Sequence, residues 1–223
     1  MRFLAQSFQR EGTCVWELLK AGGPGMIPIV ACSVLVLSIV VERLWSLRRK
    51  TTVPPQLGSE VRAWASTRRF EAAHMEALEN NSPLGKVLAG ALRVRHLGRD
   101  AIRERVEDEG RHAVHDMNRF LNTLGTMALI TPLLGLLGTV IGLIRMFLAV
   151  MSHGVGDAQY MAGGIGEALV CTASGILVAV PAYIFHRYFR GRIAHYAILI
   201  EREVWSLIDA LEQQPATAHK TGR

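Results

Sequence analysis

The stretch GGIGEALVCTASGILVAVPAYIF, residues 163–185, decides the fold. It carries a single charged residue, Glu167, among apolar and small residues. A helix that crosses the hydrocarbon core of a membrane needs about 20 predominantly apolar residues. The stretch therefore predicts a transmembrane helix over residues 161–185, with one carboxylate inside it.

Two further stretches have the same character. Residues 22–41 carry no charge, and residues 121–151 carry only Arg145. The 223-residue chain is 50% hydrophobic with a mean hydropathy of +0.22. Three such helices would leave too little polar sequence to cover them in a soluble fold. We therefore expect an all-α membrane protein with three transmembrane helices.

The distribution of basic residues predicts the orientation of the chain. A basic cluster follows the first span, and residues 42–120 hold 15 Lys and Arg against 11 Asp and Glu. Residues 152–160 contain no Lys or Arg and one acid, Asp157, whereas Arg187, Arg190 and Arg192 follow the third span. Because positive residues near span ends mark the cytoplasmic side, we expect the N-terminus in the periplasm and the C-terminus in the cytoplasm.

These patterns divide the chain into seven predicted segments. In order they are a periplasmic N-terminal segment (1–21), a first transmembrane helix (22–41), a cytoplasmic helical loop (42–120), a second transmembrane helix (121–151), a periplasmic turn (152–160), a third transmembrane helix (161–185) and a cytoplasmic C-terminal helix and tail (186–223).

Spans two and three are both expected to extend as long helices into the cytoplasm. From Ile102, apolar residues recur at helical spacing as far as Leu121 without a proline, which predicts an unbroken helix into span two. After span three, an apolar stripe recurs every three or four residues and requires a partner surface, either within the chain or on a neighbouring subunit. The stripe consists of Ile193, Ala197, Ile200, Val204, Leu207 and Leu211.

Small residues in the spans predict close helix packing. Gly138 and Gly142 form a GxxxG pair in span two, with Gly135 on nearly the same face, and span three contributes Gly164 and Gly175. Such residues let two helix backbones approach closely. A GxxxG pair alone is common in membrane helices, so simple packing is as good an interpretation as a specialised interface.

A carboxylate near mid-membrane costs about 2.5–3.5 kcal/mol on insertion scales and marks a functional site by default. For Glu167 this favours a place in a proton pathway, because such a pathway needs a group that can gain and lose a proton. The alternatives are that Glu167 reaches water at the outer end of its helix, or pairs structurally with Arg145. Thr139 and Thr172 are polar candidates nearby, although a membrane threonine commonly bonds to a carbonyl of its own helix.

Other functional classes are disfavoured. The His residues form no HExxH motif, and no nucleophile elbow is present, so we do not expect an enzyme. The three cysteines have no metal-binding spacing, and no metal or cofactor is expected. The basic cluster after span one is explained by membrane orientation, so we expect no nucleic-acid partner.

Two motifs, read together, resemble the MotA/TolQ/ExbB proton-channel family. They are GLLGTVIGLIRMF (residues 135–147) and GGIGEALVCTASGILVAVPA (residues 163–182). The family pattern is GLLGTVxG in one span and GIxEALxxTxxGLxxAxPA in the next, and the resemblance covers about residues 127–185. The segment order is most similar to the ExbB and TolQ branches, since MotA-type members have four spans and three are predicted here.

The resemblance implies a homopentamer in the bacterial inner membrane around a pore. The pore would enclose the single transmembrane helices of a partner resembling ExbD or TolR, whose aspartate takes up and releases protons. The complex would drive a TonB-like or TolA-like protein. Lipids are the remaining expected partners, and no cofactor is implied.

Carried over residue by residue, the resemblance assigns the pore-associated threonines to Thr139 and Thr172 and the membrane glutamate to Glu167. The helix-breaking prolines fall on Pro132 and Pro181, and we expect each to kink its helix. Many ExbB and TolQ sequences have His at the position of Arg145, and a fixed positive charge there makes proton relay unexpected. Threonine hydroxyls do not change charge at neutral pH, so the titrating groups must be Glu167, a partner's acid, or both.

We therefore predict a proton-channel subunit that converts protonmotive force into mechanical work for outer-membrane nutrient import. The principal titrating acid is expected on the partner, with Glu167 as a helper at a pore or subunit contact. One alternative is a TolQ-like subunit of an envelope-maintenance system. The other is a non-conducting scaffold that assembles and stabilises its partners.

Overall fold

The computed structural model describes residues 22–67, 72–153 and 158–212, and within these ranges it contains helices and no strand. The expected all-α fold is confirmed. A 3-10 turn at Gly23–Gly25 leads into the first helix, and another lies at Arg95–Leu97. The α-helices are α1 (Met26–Ser46), α2 (Arg49–Thr52), α3 (Leu57–Thr67), α4 (Ala72–Asn81), α5 (Pro83–Arg93), α6 (Arg99–Asn118), α7 (Leu121–His153) and α8 (Ala158–Glu212).

Three stretches of helix are long and apolar enough to cross a membrane, and they correspond to the three predicted spans. α1 contains most of span one, α7 contains span two, and α8 contains span three. Many of their large apolar side chains are exposed, including Ile27, Leu129 and Leu177. This is the pattern of helices whose outer faces meet lipid or another protein rather than water.

α8 is one continuous helix of 55 residues. At 1.5 Å per residue it is about 80 Å long, more than twice the roughly 30 Å of a bilayer core. The predicted extension of span three is therefore confirmed. Pro181 lies inside α8 and Pro132 lies inside α7, and each helix continues past its proline, so the kinks expected at these positions stay predictions. Neighbouring helices and Ser or Thr side chains can satisfy the carbonyl that a membrane proline leaves without a donor.

The helix leading into span two differs from the expected unbroken helix at one point. α6 ends at Asn118 and α7 begins at Leu121, and between them Phe120 has a φ of 60°. A non-glycine residue in this left-handed region costs about 1–2 kcal/mol. Met117 and Leu121 are both buried, so packing on either side of the break fixes it. Apolar spacing continues across the two residues, which is why the pattern does not reveal the interruption.

The chain forms two compact units. The described residues of 22–41 and 120–187 make up one, here called the membrane unit. Those of 42–119 and 188–212 make up the other, here called the loop unit. The boundary after residue 119 coincides with the break at Phe120.

α5 is the centre of the loop unit and packs against α4 and α6. Ser82 caps it, accepting a hydrogen bond from the Gly85 amide at 3.1 Å, and Pro83 occupies its first turn. Burial of its large apolar side chains stabilises this helix, because the rest of the loop is polar. Most of its residues are buried. They are Leu84, Gly85, Val87, Leu88, Ala89, Gly90, Ala91 and Leu92.

The apolar stripe of α8 is covered within the loop unit. Ile193, Ile200, Val204 and Leu207 are at most 4% exposed, while Ala197 and Leu211 are half-buried. The sequence allows a partner surface either within the chain or on a neighbouring subunit, and in the structure residues of the same chain cover the stripe. The predicted segment 1–21, residues 154–157 of the predicted turn at 152–160 and the tail after residue 212 lie outside the described residues.

Candidate functional site

The membrane unit is organised by a seam of small residues between α7 and α8. Gly135 and Gly175 face each other at its centre. A Cβ added at Gly175 would lie 2.9 Å from the Thr131 carbonyl oxygen and 3.1 Å from the Gly135 Cα. These are backbone atoms, which cannot rotate away as a side chain can. The two helices therefore meet backbone to backbone, as small residues in membrane helices allow.

The seam continues towards the end of span two. A Cβ at Gly138 would lie 2.5 Å from the Cβ of Cys171, and one at Gly142 would lie 3.1 Å from the Gly164 carbonyl oxygen. The predicted packing glycines of spans two and three thus meet each other within one chain. Both glycines of the GxxxG pair contact α8 of the same chain. This agrees with the interpretation that the pair serves helix packing.

Thr139 and Thr172 lie on the two helices of the seam, α7 and α8. The Thr172 hydroxyl donates to the Gly135 carbonyl across the seam at 3.2 Å. In a helix the same carbonyl is the acceptor for the amide of residue 139. The Thr139 hydroxyl donates to the Leu136 carbonyl of its own helix. Both threonines are half-buried, and both hydroxyl protons are directed at backbone carbonyls.

Glu167 lies on α8 and forms an ion pair with Arg145 of α7, with 2.8 Å between Arg145 Nη1 and Glu167 Oε1. The Glu167 side chain is 21% exposed and that of Arg145 is 47% exposed. The structure therefore has the pairing that the sequence allows as an alternative to a proton-carrying role. The pair neutralises two charges that would each be costly in a membrane.

A turn of glycines before α1 also belongs to this site. The Cys171 thiol donates to the Gly22 carbonyl at 3.1 Å, and a Cβ at Gly23 would lie 2.1 Å from Glu167 Oε1. Sequence reasoning placed Gly22–Gly25 only at the start of a span and gave Cys171 no role. The available signals were three glycines in four residues before an apolar helix, and a cysteine one helical turn after Glu167.

The loop unit has its own polar cluster where α1 ends. Arg192 and the Tyr196 hydroxyl both donate to the Leu47 carbonyl, at 3.0 and 2.9 Å. The guanidinium also donates to the Tyr188 hydroxyl and lies over the rings of both tyrosines. Leu47 follows the last residue of α1, so its carbonyl lies at the negative end of that helix, where a cation is favourable.

No group of three or more His, Cys, Asp or Glu side chains that could hold a metal occurs within residues 22–67, 72–153 and 158–212. The chemistry of the described site thus consists of hydroxyls, one ion pair and close backbone packing. Together, the fold and the site define an α-helical membrane protein whose second and third spans share a polar, glycine-lined contact.

Comparison with known proteins gives the family. The model of the MotA/TolQ/ExbB proton channel family matches residues 79–202, which is more than half of the chain. The chain belongs to this family of proton channels.

Three relatives illustrate the range of similarity. ExbB-like 1 of Synechocystis sp. is 34% identical over 203 residues, covering 85% of this chain and 79% of the relative. The biopolymer transport protein exbB1 of Vibrio cholerae is 31% identical over 189 residues, covering 82% and 77%. The Tol-Pal system protein TolQ of Haemophilus influenzae is 35% identical over 86 residues, covering 39% and 36%.

The fold has a counterpart among solved structures. A chain in the structure of MotAB from C. jejuni matches with a TM-score of 0.59 and 14% identity, covering 99% of this chain and 96% of the other. At this identity the likeness shows a shared fold.

Proposed function

We propose that the chain is the multi-span subunit of a proton channel in the bacterial inner membrane. In this proposal a homopentamer surrounds single-span helices of a partner similar to ExbD or TolR, and an aspartate of that partner takes up and releases protons. The resulting movement does work on a TonB-like protein for nutrient import across the outer membrane. The observation that carries the proposal is the hydrogen bond from the Thr172 hydroxyl across the seam to the Gly135 carbonyl, one helical turn before Thr139 and inside the region that matches the family.

The geometry of the two threonines suits a visiting carboxylic acid. A carbonyl can only accept, so each hydroxyl proton is committed to the backbone, and the lone pairs of the hydroxyl oxygen remain as acceptors. A protonated acid can donate to such an oxygen. A carboxylate needs donors and would have to break a backbone bond to obtain one. The threonines therefore favour the partner's acid in its protonated form.

The energy available per proton limits the mechanism. A charge crossing the membrane potential releases about 2.3 kcal/mol per 100 mV. This is small beside the stability of a folded domain, which is about 5–15 kcal/mol. Several protons must therefore be combined to drive one mechanical cycle, which suits a repeated movement around a symmetric ring.

The proposed orientation has a periplasmic N-terminus and a cytoplasmic C-terminus. It is supported by the basic residues that follow spans one and three and by their absence from residues 152–160. A reporter that is active only in the cytoplasm, fused after Arg223, is expected to be active. An inactive fusion at a normal protein level would contradict this orientation.

An ExbB-type role is favoured over a TolQ-type role by the extent of the similarity. Two ExbB-named relatives, those of Synechocystis and Vibrio cholerae, match 85% and 82% of the chain. The TolQ relative matches 39% of it, close to the 43% matched by the ExbB of Salmonella typhimurium. A TonB-type gene beside this gene would agree with nutrient import. A TolA-type gene would favour the alternative role in envelope maintenance.

The central experiment measures proton flux in vesicles that contain the chain with its partner. Thr139→Val and Thr172→Val each remove a hydroxyl while keeping the side-chain shape, and each is expected to lower flux about five- to tenfold. The loss of a hydrogen bond to a neutral acid, worth about 1–1.4 kcal/mol, gives an effect of this size. Wild-type flux in both variants would contradict the proposal.

Thr126→Val is the matched control. Thr126 lies on the same helix as Thr139, and its hydroxyl likewise donates to a carbonyl of that helix, that of Asn122. Thr126 lies outside the seam, so the proton flux of the Thr126→Val variant is expected to stay within about twofold of wild type. Thr139→Ser and Thr172→Ser, which keep the hydroxyls, are expected to retain most of the flux.

A non-conducting scaffold is the second candidate. Thr139, Thr172 and Glu167 all engage groups of the same chain, an arrangement that a scaffold would also have. A scaffold predicts no flux from the wild-type complex above that of empty vesicles. Neither candidate includes an enzymatic activity.

A further inference from the structure

The glycine turn at the start of span one, residues 22–25, is contacted by two side chains from one face of α8. Glu167 and Cys171 are four residues apart and therefore lie one above the other on that face. Cys171 donates its thiol hydrogen to the Gly22 carbonyl. A Cβ added at Gly25 would lie 3.2 Å from the Cys171 sulfur and 3.5 Å from the Cα of Gly138. The turn is thus packed against both other spans.

Gly23 is the tightest point of this turn. Its φ of +58° is a conformation that side-chain-bearing residues rarely adopt. A Cβ there would lie 2.1 Å from one carboxylate oxygen of Glu167 and 2.7 Å from its carboxyl carbon. The carboxylate therefore lies directly on the backbone of the turn, in the space that any other residue would fill.

The same carboxylate oxygen accepts the hydrogen bond from Arg145. One side chain of span three thus contacts the start of span one and a cation of span two. An arginine is always charged, and removing its counter-charge in a region of low dielectric would leave the arginine uncompensated. Uptake of a proton by Glu167 would do this in every cycle.

We propose that Glu167 is a positioning residue that joins the start of span one to spans two and three, and that it stays paired with Arg145 during turnover. The proposal rests on the proposed proton-channel function for its effect on flux, but its effect on structure is independent of that function. It accounts for the combination of a fixed charge at Arg145, a carboxylate at Glu167 and a left-handed glycine at Gly23.

The test compares single and double variants of the pair, each purified with the partner. Glu167→Gln and Arg145→Gln are each expected to lower the apparent melting temperature by about 5 °C and to lower flux. The exchange Glu167→Arg with Arg145→Glu, and the neutral double variant with Gln at both positions, are expected to recover at least half of each loss. Recovery follows because both doubles remove the uncompensated charge.

Two measurements separate a positioning role from proton carriage. The flux that remains in the Glu167→Gln variant is expected to have the wild-type pH profile, since the titrating group is elsewhere. No flux in the Glu167→Gln, exchanged and neutral double variants, at wild-type melting temperature, would show that Glu167 carries protons and would overturn the proposal. Wild-type stability and flux in every variant would overturn it as well.

The Gly23 contact has its own test. Gly23→Ala is expected to lower the melting temperature at least as much as Glu167→Gln, while Gly163→Ala, where nothing lies within 4 Å of an added Cβ, is expected to leave it unchanged. If the wild-type complex gives no flux, the proposed function fails. The positioning role is then still decided by the melting temperatures, and equal temperatures for Gly23→Ala and Gly163→Ala would overturn it.

Discussion

The α7–α8 seam of the membrane unit and the α5 core of the loop unit are both buried helix contacts, but they are built from opposite materials. At the centre of the seam are Gly135 and Gly175, with backbone atoms in contact. The core consists of large side chains such as Leu84 and Leu88, both fully buried. Lipid is as apolar as leucine, so large side chains gain little by packing within it, and close van der Waals approach must hold the seam. The loop unit has an otherwise polar sequence, and for a unit of this kind in water apolar burial is worth about 25 cal/mol per Å².

This difference predicts opposite sensitivities. The seam should be damaged by adding atoms, and the core should be damaged by removing them. The predictions below test this contrast, beginning with the largest expected effect.

Gly175→Val is expected to abolish recovery of folded protein. Its added atoms would meet the carbonyl of Thr131 and the backbone of Gly135, neither of which can move without separating the helices. Overpacking typically costs 1–3 kcal/mol, and a backbone obstruction lies at or above the top of that range, about 3 kcal/mol or more. Size-exclusion chromatography of the detergent-solubilised protein measures the loss.

Gly163→Val is the matched control for this prediction. Gly163 lies on the same helix with open space around it, and a larger residue there is expected to leave the elution profile unchanged. Equal damage from both variants would mean that the seam is no tighter than the rest of α8.

Leu88→Ala is expected to destabilise the loop unit by about 3 kcal/mol. Leu88 is fully buried on α5, and shortening a buried leucine costs about 2–5 kcal/mol through lost transfer energy and the cavity left behind. Thermal unfolding followed by circular dichroism measures the change. Leu97→Ala is the comparison, because Leu97 is 63% exposed, and its effect should be below about 0.5 kcal/mol. A larger effect at Leu97 than at Leu88 would contradict the described core.

The smallest effect distinguishes the two threonines. Thr172→Val removes a hydrogen bond between helices and is expected to cost about 1 kcal/mol of stability. Thr139→Val removes a bond to its own helix and is expected to cost less than about 0.5 kcal/mol. Melting temperatures of the two variants in the same detergent test the order. The reverse order would show that the Thr172 bond does not contribute to the seam.

The residues of the seam could largely be predicted from the sequence, but which of them contact each other could not. The glycines of spans two and three are visible as packing residues, because small residues in an apolar helix have few other uses. Which glycines meet depends on the register between α7 and α8, and the connecting residues do not specify it. For the same reason the pairing of Glu167 with Arg145, 22 residues earlier in the chain, is only one of the interpretations that the sequence allows.

Two features of the fold lie beyond pattern analysis for a different reason. Phe120 adopts a left-handed conformation that its residue type does not favour, so only the packing around it can reveal the break between α6 and α7. The tightness at Gly23 arises from the carboxylate of Glu167, which is remote in sequence. Local propensity predicts neither, since both are set by tertiary contacts.

The glycine seam also bears on how such a protein can change over generations. Glycine is the smallest residue, so every mutation at Gly135 or Gly175 enlarges the side chain, and no intermediate step is available. A neighbouring residue cannot compensate, because the obstructing atoms are backbone, which every amino acid carries. We expect libraries of random variants to accept many substitutions on the outer faces of α7 and α8 and to lose nearly all of those at these two positions.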